Sequence, residues 1–194
     1  MARTFVMVLI FAAVLGACEH SQSAYAQSID GPSQSATVDD MALFSPYIGR
    51  FRSEDKTSDE GTIFFYEIHY GWYDRGHTIV SYELTLVVPS QDRRVGIGDG
   101  YYYFDRVNNR IGVFGVFPDG RTGLGAMGEF ERDTGTRTVW VTGIGRDGVQ
   151  TQVRDYFEVI DENSWRNATH IRQGEEDWRQ IGSDIYTRIE ENGF

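Results

Sequence analysis

Apolar and polar residues alternate along most of the chain after about residue 39. Tyr66, Ile68 and Tyr70 occupy every second position of one segment, and Glu67 and His69 lie between them. Successive side chains of a β-strand point to opposite faces of its sheet. The alternation therefore predicts strands with one apolar face and one polar face.

Turn motifs rich in Gly and Asn separate these segments at regular intervals, as in Pro118-Asp119-Gly120 and Asp133-Thr134-Gly135. Such residues tolerate the backbone conformations of hairpin turns. The spacing predicts ten strands, near residues 48–53, 61–73, 77–88, 95–105, 110–117, 121–131, 137–145, 149–160, 164–172 and 178–189.

Consecutive strands joined by tight turns form an antiparallel meander, and closure into a barrel removes its two exposed edges. We therefore predict an all-β fold, an up-and-down antiparallel barrel of about ten strands over residues 39–194. A short helical turn around Asp39–Phe44 is predicted to plug one end. Glycines recur in three successive middle strands, where they indicate sharp coiling or a thin wall beside a cavity.

Four short motifs carry a family resemblance: residues 46–51 (PYIGRF), 70–76 (YGWYDRG), 100–105 (GYYYFD) and 185–188 (IYTR). On these, residues 42–189 resemble the lipocalin-like calycin barrels and are similar to a bacterial secreted family of unknown function with that fold. Phe51 stands where such barrels usually have their opening Trp. The resemblance implies small-molecule binding and brings no catalytic motif.

The aromatic content is the strongest indication of function. Large aromatic side chains with polar tips suit a pocket that holds an apolar ligand, although they also fill barrel cores. A barrel of ten strands is wider than one that side chains fill completely. The residues predicted to line its interior are Tyr66, Tyr70, Trp72, Tyr82, Tyr102, Phe104, Trp140, Phe157 and Trp165.

A polar cluster is predicted from Asp155, Asn167 and Arg188 in the last three strands. Asp155 shares a strand face with apolar residues, and a buried charge needs a partner or a ligand. We expect Arg188 to pair with Asp155 as a structural closure of the barrel.

Charge and composition exclude several classes of function. The 194 residues carry a net charge of −11, which disfavours nucleic acid as a partner. The single Cys excludes an intramolecular disulfide and any metal site with several Cys ligands, and no metal site is predicted. No cofactor is predicted either; haem held by His170 is kept as an alternative because some barrels of this superfamily bind haem through one histidine.

The first residues have the features of a secretory signal. Arg3 precedes an apolar run from Phe5 to Ala17, which is too short to span a bilayer as a helix. The sequence that ends at Cys18 resembles a bacterial lipobox, and cleavage after Ala26 is the alternative. We thus predict a signal peptide over residues 1–17, lipidation of Cys18, and a flexible tether over residues 18–38.

These features predict a lipoprotein of the bacterial cell envelope, anchored in the outer membrane on its periplasmic side, or else a soluble periplasmic or secreted protein. Its barrel is expected to bind a small apolar or amphipathic molecule in an aromatic cavity. One alternative is an isomerase or hydrolase that draws its acid–base groups from Glu67, Glu83, Asp155 and His170. The other is an envelope scaffold without a ligand.

Overall fold

The fold was described from a computed structural model, which describes residues 33–118, 120–144 and 148–189. A 3-10 helix spans Val38–Tyr47, and a short 3-10 turn spans Pro89–Gln91. The strands are β1 Gly49–Ser53, β2 Lys56–Thr57, β3 Ile63–Trp72, β4 Ile79–Val88, β5 Arg93–Asp105, β6 Arg110–Val116, β7 Thr122–Phe130, β8 Arg137–Ile144, β9 Gln150–Asp161, β10 Ser164–Arg172 and β11 Arg179–Arg188.

The sheet closes on itself through its first strand. β1 pairs antiparallel with β11, with Phe51 opposite Arg188, and also with β3, with Gly49 opposite Tyr70. All other barrel strands pair antiparallel with their neighbours in sequence. The result is the predicted closed barrel of ten strands. The two-residue β2 is an addition to the prediction, and it pairs with β3 beyond the end of β1.

The inner faces follow the predicted alternation in the third and fourth strands. Phe64, Tyr66, Ile68 and Tyr70 of β3 are all buried, whereas His69 between them is exposed. A register slip of one residue would bring the polar set of β3 into the core, so the apolar pattern specifies the pairing.

The predicted helical plug is confirmed, and it is longer than predicted. The helix Val38–Tyr47 buries Met41, Phe44 and Tyr47 against the barrel core. The Tyr47 hydroxyl donates to the carbonyl oxygen of Gly135 at 3.1 Å. These contacts close one end of the barrel.

Only the end of the predicted tether lies within the described residues. There the N–H of Ala36 donates to the carbonyl oxygen of Asn109 at 2.8 Å, and Ala36 is buried. The predicted signal peptide, Cys18 and the rest of the tether lie outside the described part of the chain. In that part, no helix combines the length and apolar character needed to cross a membrane.

Candidate functional site

A cavity of about 590 Å³ occupies the barrel interior. Loop residues from three strand connections surround one end of it, among them Ser58, Gln91 and Pro118. The helix Val38–Tyr47 lies at the opposite end. The cavity is therefore a blind pocket whose volume falls in the range typical of small-molecule sites.

The wall of this cavity is mainly apolar. Most contributing strands supply it from alternate positions, as expected for the inner face of a barrel. β5 is the exception, because Val95, Gly96 and Ile97 all line the cavity where its pairing with β4 shifts register. The aliphatic part includes Ile68, Leu84, Leu86, Val113, Val139, Val141 and Val153. The aromatic part consists of Phe64, Tyr66, Tyr70, Tyr82, Tyr102, Phe117, Phe157, Trp165 and Tyr186.

Several aromatic side chains of the wall are in contact with one another. Trp165 stacks on Tyr186, with ring centroids 4.3 Å apart and an interplanar angle of 11°. The Tyr70 and Tyr82 rings are 6.1 Å apart. Burial raises the pKa of Tyr102 to about 12, although the nearby charge of Arg137 opposes this shift. The tyrosines are consequently neutral hydroxyl groups at physiological pH.

One polar patch interrupts the apolar wall where β9 and β10 pair. Thr169 lies opposite Asp155 in the register, and its hydroxyl donates to Asp155 Oδ1 at 2.5 Å. The Thr169 hydroxyl also lies 3.1 Å from Asn167 Oδ1. Burial raises the pKa of Asp155, against the opposing hydrogen bonds from Thr169 and Asn167 and the charge of Arg137.

A second carboxylate of the wall, Asp184 on β11, has a cationic partner. Its Oδ1 is 2.6 Å from Lys56 Nζ, and its side chain is only 9% exposed. Lys56 belongs to the unpredicted strand β2, so this short strand serves to position the cation beside the cavity. The charge of Asp184 is thereby compensated within the protein.

Arg137 lies in an aromatic cage at the closed end and is 1% exposed. Its guanidinium carbon is 3.7 Å from the ring centroid of Tyr47, 4.4 Å from that of Phe157 and 4.7 Å from that of Phe44. None of its nitrogens is in regular hydrogen-bond geometry with a partner among the described residues, although its polar N–H groups lower the pKa of the neighbouring Tyr47 and Tyr102 against the larger effect of burial. Cation–π contacts therefore contribute to its stabilisation. Arg137 alternates with Val139 and Val141, a pattern that could have revealed its inward orientation.

Six of the nine predicted lining residues lie on the cavity wall: Tyr66, Tyr70, Tyr82, Tyr102, Phe157 and Trp165. Trp72 and Phe104 instead pack against the core outside the cavity lining. The prediction for Trp140 is wrong. Its neighbours Val139 and Val141 face the cavity, which places Trp140 on the outer face of β8, where its ring contacts Trp178 at 5.5 Å.

The predicted polar cluster is present only in part. Asp155 and Asn167 both face the cavity. Arg188 does not join them, because it lies at the closed end and donates to the backbone carbonyls of Ile48 and Pro46 at 2.7 and 3.0 Å. The predicted pairing of Arg188 with Asp155 is thus wrong, although Arg188 does hold the start of β1 against β11.

The four acid–base residues of the alternative enzyme hypothesis do not lie together in one site. Asp155 faces the cavity, whereas Glu67 forms an outer ion pair with Arg94 at 2.5 Å and Glu83 is exposed. His170 pairs with outward-facing Arg154 and is not among the lining residues. The described cavity wall contains no histidine, so it does not fit haem held by His170. The described residues also contain no group of three or more His, Cys, Asp or Glu suited to a metal.

The comparisons with known proteins support the fold. No protein-family model matches the chain, and no curated protein matches it. Among solved structures, it is similar to the crystal structure of Rv2717c from M. tuberculosis, with a TM-score of 0.57 and 10% sequence identity. The match covers 78% of this chain and 98% of that chain, so nearly the whole of that protein shares this barrel architecture.

Proposed function

We propose that this barrel is a calycin-like binding protein that holds a small apolar or amphipathic molecule in its interior. The observation that carries the proposal is the blind cavity of about 590 Å³ with its aliphatic and aromatic wall. Protein interiors are close-packed, and voids larger than a water molecule are few. A space of this size in a barrel core is better explained by an occupant than by imperfect packing.

The polarity of the wall defines the occupant further. Most of the lining is apolar, and an inner polar patch consists of Asp155, Asn167 and Thr169. Further polar residues line the loop end of the cavity, among them Asp59, Arg93 and Arg121, and Asp184 is paired with Lys56. A mostly apolar wall with a few placed polar groups is typical of sites that orient a ligand by one end. The alternative of catalysis by Glu67, Glu83, Asp155 and His170 has no comparable support, since these residues face different sides of the sheet.

The proposed test is a substitution that introduces a large side chain into the cavity at a position with free space. A Cβ added at Gly182 meets no atom within 4 Å, and Gly182 lines the cavity. Gly182→Phe therefore places a ring inside the barrel. Ser183→Phe is the matched control, because Ser183 is the next residue of β11 and is exposed on the outer face.

Binding is measured with Nile red, an uncharged dye whose fluorescence rises in apolar surroundings. We expect Gly182→Phe to weaken dye binding by at least about tenfold and Ser183→Phe to change it by less than about twofold. Equal binding by both variants, with the melting temperature of each recorded, would show that the dye does not occupy the interior and would contradict the proposal.

We also propose that the protein is a lipoprotein of the bacterial envelope, anchored through Cys18. This rests on the sequence of residues 1–18 alone: one basic residue, an apolar run and a cysteine at the lipobox position. Radiolabelled palmitate supplied to cells that express the full chain should label it, and Cys18→Ser should abolish the label. A labelled Cys18→Ser variant, or an unlabelled native chain, would contradict the anchor.

A further inference from the structure

Two carboxylates of the strands line the cavity, Asp155 and Asp184, and their electrostatic surroundings differ; Asp59 and Glu60 lie in the loop at its end. Asp184 has its counter-charge in Lys56 at 2.6 Å. Asp155 has no Lys, Arg or His within ion-pair distance in the described part of the chain, and its hydrogen-bond partners are the uncharged side chains of Thr169 and Asn167. Asp155 is therefore a buried acid whose charge is not matched by a contacting cation.

Arg137 is too deeply enclosed to serve as that cation. Its guanidinium lies against the rings of Tyr47 and Phe157, makes no hydrogen bond to Asp155, and is absent from the cavity lining. At longer range its positive charge opposes the rise in the pKa of Asp155 that burial causes, but burial is the larger effect. A ligand cation in contact with Asp155 would supply the direct counter-charge that the described residues do not, and would favour the carboxylate form.

Aromatic rings surround the same part of the cavity. Tyr82, Tyr102 and Tyr186 line the same cavity as Asp155. The charge of Asp155 contributes to the raised pKa of each of these tyrosines, after the larger effect of burial. The faces of aromatic rings carry negative potential and attract cations. A carboxylate in a cavity lined by aromatic rings is an environment that favours a positively charged group.

We propose that the molecule held in the cavity carries a protonated amine, whose ammonium group binds the Asp155 carboxylate while its apolar body lies against the aromatic wall. This inference rests on the proposed binding function and names its ligand class. The net charge of −11 acts in the same direction, because an acidic protein attracts cations and repels anions over longer distances.

Other head groups fit the site less well. A carboxylate ligand would meet Asp155 as a like charge inside a region of low polarity, which is strongly unfavourable. An alcohol could donate a hydrogen bond to Asp155 but would leave its charge uncompensated. The amine alone supplies both the hydrogen-bond donors and the charge.

The experiment compares three ligands that share one apolar tail: decylamine, decanol and decanoate. Their binding to the unaltered protein is measured by isothermal titration calorimetry at neutral pH, below the concentrations at which they form micelles. We expect decylamine to bind at least about tenfold more tightly than decanol, and decanoate to bind most weakly.

Two variants test whether Asp155 is responsible. Asp155→Asn removes the carboxylate, and we expect it to reduce the affinity for decylamine to that for decanol while decanol binding changes by less than about twofold. Glu158→Gln is the matched control, since Glu158 lies on the same strand, faces outward and pairs with Arg166 at 3.0 Å. It removes one negative charge, as Asp155→Asn does, and should preserve the preference for the amine.

Each outcome decides a different claim. Equal binding of decylamine and decanol, or tightest binding of decanoate, overturns the amine proposal and leaves the binding function intact. Absence of binding by all three overturns both. Loss of the preference in Glu158→Gln as well as Asp155→Asn attributes it to overall charge and overturns the role of Asp155. If Asp155→Asn does not fold, the comparison of the three ligands in the unaltered protein still decides the ligand class.

Discussion

Gly125 on β7 leaves almost no room for a side chain. A Cβ at this residue would lie 1.9 Å from the carbonyl oxygen of Trp140 and 2.8 Å from its carbonyl carbon. Both are backbone atoms of the neighbouring strand β8, so no rotation of a side chain can relieve the overlap. Gly125→Ala therefore forces β7 and β8 apart by more than an ångström where Gly125 pairs with Val141.

The expected cost follows from the contacts that this separation disturbs. Overpacking a buried position typically costs about 1–3 kcal/mol, and each weakened backbone hydrogen bond adds roughly 0.5–1.5 kcal/mol. We therefore expect Gly125→Ala to lower the free energy of unfolding by about 3 kcal/mol. For a domain of this size, that corresponds to a melting temperature lower by roughly 10 °C.

Gly182→Ala is the control, because its added Cβ meets no atom within 4 Å. Replacing a glycine at an unstrained position stabilises by about 0.4–1 kcal/mol, mainly by restricting the unfolded chain. Thermal unfolding followed by circular dichroism measures both variants. If Gly125→Ala melts at the same temperature as Gly182→Ala, β7 and β8 do not approach as closely as described and the reasoning is refuted.

The remaining predictions concern the closed end. Arg188→Met should lower the free energy of unfolding by about 2 kcal/mol in urea titrations, because two backbone carbonyls lose their donor, while Nile red affinity stays unchanged. Tyr47→Phe should cost about 1 kcal/mol by the same assay, since the buried carbonyl of Gly135 loses its hydrogen bond; an unaltered urea midpoint would contradict that bond. Burial raises the pKa of Asp40, but hydrogen bonds, the strongest from Arg132, outweigh this effect and hold the pKa below 3.8. The stabilisation by ionised Asp40 is consequently present above pH 3.8 and lost as the pH falls through the lowered pKa, so Asp40→Asn should be less stable at neutral pH and approach the native chain in acid. A stability difference that does not change with pH would argue against this role.

The strands and their faces were predictable because alternation with period two is a local property. In β3 the apolar residues occupy strictly alternate positions, and the burial of Tyr66, Ile68 and Tyr70 follows directly. In β8 the pattern is ambiguous. Val139, Trp140 and Val141 are all apolar, so only pairing with β7 and β9 decides that the two valines face inward and Trp140 outward.

The polar part of the site could be predicted less well. Which polar residues of different strands lie close together depends on how far along the barrel axis each of them is placed. Asp155 and Asn167 are close because β9 and β10 pair in a register that brings them together. Arg188 lies at the closed end of the barrel, bound to the carbonyls of Ile48 and Pro46, and nothing local in its strand indicates this. The cage around Arg137 combines rings from the helix and from strand β9, a combination that only tertiary packing creates.

The central claim is that the interior holds a small molecule, and native mass spectrometry of the protein purified from the cells that naturally produce it tests this most directly. The account predicts a mass above that of the processed polypeptide and any covalent lipid, a surplus that disappears on denaturation and yields an extractable amine with an apolar body. Gly182→Phe, produced in the same cells, should lack the surplus, and Ser183→Phe should retain it. A native protein without any non-covalent surplus, or an equal surplus in Gly182→Phe, would contradict the claim.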